Sequence, residues 1–197
     1  MTLLFSREQY LAAADAYMRG LERRLAAGLS IDVRSVASLF ISRWDKATME
    51  RLPDALRDRL GIAIAETAYA AYRDVLDSDR WQRLENAGAR PQRLLFASTG
   101  TKDPKAPDTL YVGALAAPNT VNTMPEETLL AFADHGQVGA TLDRRGAAAG
   151  ETLAAVRKAG VDTDALAADL QAEGAKAFDE SWSDLIKAIE TKSKALA

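Results

Sequence analysis

The sequence predicts an α/β fold built on parallel strands. Three observations carry this. Short apolar runs alternate with stretches of helical periodicity, the run at 36–41 is apolar on both faces, and turn residues punctuate the transitions. Alternation of this kind implies parallel strands joined by right-handed crossovers, in either a small doubly wound sheet or part of an α/β barrel. The 197 residues allow one compact domain or two small ones and fall short of a typical complete eight-stranded barrel.

Thr2-Leu3-Leu4-Phe5 reads as a first strand. It runs straight into a helix over 7–25, where Leu11, Ala14, Met18, Leu21 and Leu25 share a stripe. Ser6 followed by Gln9 is a capping box, and Gly28 closes the helix. Residues 36–41 form the second strand. A helix over 60–76 places Ala65, Ala68, Tyr69, Tyr72 and Val75 on one face, and a shorter one starts near Asp79, with Gln82 completing its cap. The third strand, 93–97, breaks into the polar loop 98–104, and a fourth covers 120–124. Pro125, Glu126 and Glu127 suit a helix start. Beyond Gly136 the strands cease. Two helices follow, at 151–159 and 164–192, the second with an apolar stripe of Leu166, Leu170, Phe178, Trp182, Leu185 and Ile186. The expected organisation is an α/β unit over 1–140 and a helical extension over 141–197 that packs on the same core.

Composition narrows the function. Hydrophobic residues make up 48% and charged residues 27%, a folded rather than disordered chain. A net charge of -3 leaves no cationic excess for a nucleic-acid backbone. With no cysteine and one histidine, thiolate metal sites, cysteine nucleophiles and two-histidine sites are excluded. No apolar run reaches membrane-spanning length, and Met1-Thr2-Leu3-Leu4-Phe5-Ser6 is too short and uncharged for a signal peptide, so the expected location is the cytoplasm.

In both candidate architectures ligands bind at the carboxyl ends of the strands, which brings Ser42, Arg43, Ser98, Thr99, Lys102, Asn122 and Thr123 to one side. Arg43 offers a fork of donors for a phosphate or carboxylate; the alternative is a surface arginine paired with Asp45 or Asp54. The loop from Ser98 to Lys102 has a phosphate-cradling composition, but its glycine and lysine spacing is not that of a nucleotide P-loop. A sugar phosphate fits better than a nucleotide. Lys102 could instead form an imine, a role ranked below phosphate binding because the polar loop and Asp103 favour its protonated form. His135 reads as a helix-end or surface residue rather than a catalyst.

Several separated segments in order resemble transaldolase in its longer bacterial form. They are Thr2-Leu3-Leu4-Phe5-Ser6, residues 35–43 ending in Ile41-Ser42-Arg43, Ala97-Ser98-Thr99-Gly100-Thr101-Lys102, Pro107-Asp108-Thr109-Leu110-Tyr111-Val112, and residues 119–125 ending in Asn122-Thr123-Met124-Pro125. The resemblance implies half of a (β/α)8 TIM barrel, strands five to eight, with C-terminal helices. It also implies dihydroxyacetone transfer between sugar phosphates of the fructose 6-phosphate class through a lysine Schiff base, in the pentose phosphate pathway, with no metal or cofactor. By resemblance, Thr2 helps hold the catalytic water, Ser38 and Arg43 line the substrate and bind its phosphate, and Phe40 faces the active site. Ser98 and Lys102 lie where the seventh-strand loop adds phosphate contacts, with a lysine in place of the arginine of shorter relatives. The family's imine-forming lysine and proton-handling acids belong to strands that precede Met1, which leaves a phosphate-binding half without its nucleophile. Four barrel strands also leave open edges and an uncovered face. Such a half is expected to pair with a complementary N-terminal half, to self-associate, or to flatten under its own helices, and a non-catalytic sugar-phosphate-binding or assembly module is the alternative function.

Overall fold

A computed structural model describes residues 1–196. Its centre is a parallel sheet of β1 (Ser35–Phe40), β2 (Gln92–Ala97) and β3 (Val121–Asn122), in the spatial order β1-β2-β3. Ser35 pairs with Gln92 and Phe40 with Ala97, while Leu95 pairs with Val121. The predicted fourth strand shortens to the two residues of β3. The predicted first strand becomes one parallel bridge, Leu4 to Leu39, on the outer edge of β1. The reason is a bulge. Ser38 N–H donates to Met1 O (3.0 Å) and Leu4 N–H to Ser38 O (3.1 Å), so three residues cover what two cover in a regular ladder, and Leu3 absorbs the excess at φ +58°. Counting this segment, spatial order equals chain order, and the sheet is wound in one direction only.

The helices explain which face is buried. The predicted capping box starts α1 (Arg7–Ala26): Gln9 N–H donates to Ser6 Oγ, and Gln9 Oε1 accepts Phe5 N–H at 2.7 Å. Its Tyr10, Ala14, Met18 and Leu21 are buried, whereas Leu25 lies past the packed region and is exposed. Helix α3 (Leu60–Asp77) packs against α1 and β2. Ala37, Leu39, Leu94 and Phe96 on the helix side of the sheet are completely buried, while Val36, Ser38, Phe40 and Leu95 on the other side are half-buried and Arg93 is exposed. A second cluster joins Met18 and Leu21 to Trp81 and Leu84 of α4 (Asp79–Asn86). Ser78 caps α4, while the Gln82 side chain reaches the Leu76 carbonyl instead of completing the box.

Helix α2 (Ser42–Thr48) begins directly after β1, where the sequence predicts only the end of the strand, and the short α5 (Leu110–Ala114) lies in the stretch 105–119, to which the sequence assigns no element. Helix α6 (Glu126–His135) follows Pro125 as expected, and α7 (Ala149–Lys158) packs on α3. The final helix, α8 (Thr163–Leu196), divides at Gly174. Ala167, Leu170 and Gly174 are buried, but Phe178, Trp182, Leu185 and Ile189 are exposed, so the stripe expected to pack on the core does so only in its first half. Among the described residues no helix is long and apolar enough to cross a membrane.

Asp45 ties α2, α3 and α5 together. Its buried carboxylate accepts N–H groups of Leu60 (3.0 Å) and Gly61 (3.1 Å) at the start of α3 and the Tyr111 hydroxyl of α5 at 2.8 Å. Only glycine fits at position 61, because a Cβ there would lie 2.6 Å from Asp45 Oδ2 and 2.8 Å from Ile41 O. Burial pushes the Asp45 carboxyl up to about 6, against the lowering effect of these donors, and burial followed by the neighbouring carboxylate raises the Tyr111 hydroxyl. A folded-state pKa above the unfolded one means that the folded chain holds the extra proton between about pH 4 and 6, so this group's contribution falls as pH rises through that window. Asp45→Asn, which turns an amide N–H₂ toward backbone donors, is expected to cost about 1–3 kcal/mol at neutral pH. In urea unfolding from pH 4 to 8 the gap between wild type and variant is expected to be widest near pH 4 and to level off above pH 6.

Candidate functional site

The carboxyl ends of β1 and β2 stay joined beyond the strands themselves. Ile41 N–H donates to Ala97 O and Ser42 N–H to Ser98 O, both at 3.0 Å. Ser98 adopts φ +57°, a left-handed conformation that costs a residue with a Cβ about 1–2 kcal/mol, and so turns its hydroxyl toward the buried Ser42, with 2.9 Å between the two Oγ atoms. Each hydroxyl carries one proton. One bridges the pair, and the other has no protein acceptor among the described residues.

Arg43 sits one residue on, half-buried. Its guanidinium carbon lies 5.2 Å from the centre of the Phe40 ring, which is itself 5.5 Å from the Phe5 ring. Helix α8 closes the other side: a Cβ at Gly174 would lie 3.2 Å from Arg43 Nη1 and 2.9 Å from Leu3 Cδ2. Neither acidic partner considered from the sequence is used, since Asp45 caps α3 and Asp54 pairs with Arg57 at 3.0 Å. Arg43 makes no ion pair among the described residues. A positioned guanidinium without a counter-ion, on the same strand ends as a spare hydroxyl proton, can bind an anion with a planar or tetrahedral oxygen face.

The remaining predicted residues divide. Thr99 is buried, with Oγ1 2.8 Å from Asn122 Oδ1 and 2.7 Å from Thr123 O. Its proton goes to the carbonyl, and the Asn122 amide satisfies it when turned to present nitrogen. Asn122 thus fixes the loop. Ser38 is half-buried beside Leu95 on the open face. Thr2 is exposed on the edge segment, and Lys102 is exposed with no hydrogen bond or ion pair among the described residues. His135 lies at the exposed end of α6 between Asp108 (2.9 Å) and Asp134 (3.1 Å), and these hydrogen bonds, Asp108 first, raise its pKa. Among the described residues no group of three or more His, Asp or Glu is placed to hold a metal ion.

The sequence profile of the family described as Transaldolase/Fructose-6-phosphate aldolase matches residues 1–189. The chain belongs to the transaldolase/fructose-6-phosphate aldolase family. A transaldolase from Parafrankia sp. (strain EAN1pec) is 48% identical over 96% of this chain and 54% of its own length. One from Thermobifida fusca is 46% identical over 96% of this chain and 54% of its own, and one from Neisseria meningitidis serogroup A is 46% identical over 94% and 53%. The chain spans about half the length of the curated transaldolases it matches.

Sequence reasoning misses two residues that shape this candidate site. The sequence suggests Asp45 only as a surface partner for Arg43, although its place two residues after the arginine, in a strand-end helix, allows a buried cap. Gly174 interrupts the good helix formers around it, and a glycine inside an amphipathic helix signals a close approach. Gly174→Val is expected to push α8 off Leu3 and displace the Arg43 guanidinium. Hydrogen exchange of residues 164–174 should quicken by roughly tenfold or more while β1 and β2 stay protected.

Proposed function

We propose that this chain is the carboxyl-terminal, phosphate-binding half of a transaldolase, equivalent to strands five to eight of a (β/α)8 barrel. The observation that carries the reading is Arg43, held between Phe40 and Gly174 with no counter-ion, beside the Ser42–Ser98 hydroxyl pair. The one-directional winding of the strands, with helices on one face, supports a barrel segment over a doubly wound sheet, whose order reverses and whose helices cover both faces. In this reading Arg43 and Ser98 bind the phosphate of a ketose phosphate of the fructose 6-phosphate class. Ser38 and Phe40 line its carbon chain, Thr2 positions a water, and Lys102 adds charge from the loop. The bound phosphate supplies orientation and remote binding energy.

Carbon-carbon cleavage needs an electron sink, which the family provides as an imine on a lysine. That lysine and the accompanying carboxylates come from the complementary half, so the chain alone binds without turning over. No metal or cofactor enters the proposed reaction, and the soluble metabolic setting of the family fits a cytoplasmic enzyme. Lys102 is an unfavoured nucleophile here, since its exposure gives it none of the desolvation that activates imine-forming lysines.

Calorimetry with fructose 6-phosphate is expected to show saturable binding to the isolated chain. Arg43→Ala should weaken it roughly tenfold to a hundredfold, the loss of a charge-assisted contact, and Arg43→Lys should recover only part. Saturable binding untouched by Arg43→Ala would remove the site. Mixing the chain with the amino-terminal half of a family member should produce exchange between fructose 6-phosphate and erythrose 4-phosphate. Borohydride with a ketose phosphate should then label the added half, and a label on Lys102 would overturn the assignment.

A further inference from the structure

Resting on the half-barrel reading, we propose that the projecting part of α8, residues 176–196, is a clasp that lies along a helix of the complementary half. The segment is roughly 30 Å long at the helical rise. Phe178, Trp182, Leu185 and Ile189 follow one another at steps of four, three and four residues and are 54%, 64%, 51% and 55% exposed. That spacing makes one continuous seam of the kind that packs along a second helix.

The place where α8 leaves the body says which helix. Gln171 Nε2 donates to Leu3 O at 2.9 Å, and Gly174 lies against Leu3, so the seat of α8 is the segment paired to the outer edge of β1. Among the described residues that segment has no strand partner other than β1. The seam therefore begins at the edge where a further parallel strand and its covering helix would continue the sheet. The same side presents the open face, with Val36, Phe40 and Leu95 half-buried and a cleft of about 720 Å³ at its amino end lined by Arg34, Arg90 and Arg93. Arg90 is paired with Asp32, whereas Arg34 and Arg93 have no ion pair among the described residues.

A second copy of the chain fits these features poorly. Two copies could join unlike edges in parallel only about a two-fold axis along the strands, which would gather Arg34 and Arg93 of both copies at the same end of the assembly. The complementary half supplies a parallel strand, an opposing apolar face and a helix together, and family relatives carry about as much chain again as is matched here. Its surface facing the cleft is expected to carry carboxylates.

The test is co-expression of the whole chain with the amino-terminal half of the Parafrankia transaldolase, followed by purification, light scattering and titration. A one-to-one complex is expected. The double variant Trp182→Asp, Ile189→Asp should weaken it roughly thirtyfold or more, as for central interface anchors, while the far-ultraviolet dichroism of the chain alone stays unchanged. Glu180→Ala and Lys187→Ala, on the opposite side of α8, should leave the affinity as it was. Equal affinity for the double variant, no complex at all, or a chain dimer that the variant dissolves and that takes up no partner half would each overturn the clasp. Failure of the transaldolase reading looks different: a tight complex that catalyses no sugar exchange and a chain that binds no phosphate ester.

Discussion

Four consecutive residues of α2 set the geometry on which the site depends, and the Asp45 carboxyl is the most connected of their anchors. Ser42 faces Ser98 on the neighbouring strand, Arg43 lies between Phe40 and α8, Trp44 Nε1 donates to the Phe5 carbonyl at 3.1 Å in the core, and Asp45 holds the start of α3 and the Tyr111 hydroxyl. A seven-residue helix has little stability of its own. Here each side chain points to a different neighbour, so the helix cannot rotate or slide without breaking several contacts. Arg43 inherits that rigidity. The buried carboxylate also explains why β1 turns into a helix without a loop: α3 needs an acceptor for its first N–H groups, and α2 delivers one.

The second governing feature is that the helices cover one face of a parallel sheet that needs covering on both. Residues of β1 and β2 that face α1 and α3 are completely buried, and their alternates are not. The bulge at Leu3 belongs to the same edge, since it lets Leu4 pair with β1 while Phe5 turns into the core and Leu3 meets Gly174. A bulge at a sheet margin and a helix seated on it are ways in which a sheet limits pairing at an edge, so what favours a barrel segment in the proposed reading is the face left without helices.

Local chemistry was the most legible part of the sequence. The Ser6–Gln9 box, the helix start after Pro125 and the runs that became β1 and β2 depend on neighbours in the chain and appear close to where they were expected. What depends on distant neighbours was hidden. Helix α2 is short and polar, and its support comes from α3, α5 and the core. The first strand carried the right apolar composition, yet its pairing is set by one left-handed residue that periodicity cannot reveal. Periodicity marks the α8 stripe as an apolar face without saying what covers it. For the proposed site, position at strand ends brings Ser42, Arg43 and Ser98 to one end of the sheet, where the two serine hydroxyls meet, while Lys102 shares the composition and lies in solvent.

The groups that hold Arg43 in place all belong to this chain, which bears on how binding and chemistry are divided. An uncompensated guanidinium and a left-handed serine each weaken the fold by a modest amount, and such costs persist where surrounding structure over-determines them. Phe40, Leu3, Gly174 and the α2 anchors do so without a contribution from beyond the sequence at hand. The guanidinium is thus preorganised by this chain alone, and in the proposed reading the lysine and proton carriers that an imine mechanism demands would stand on the opposite wall. In the proposed reading, preorganisation on one side would let the other side contribute reactivity alone, because a substrate held through its phosphate would be oriented before its reacting carbon meets the nucleophile.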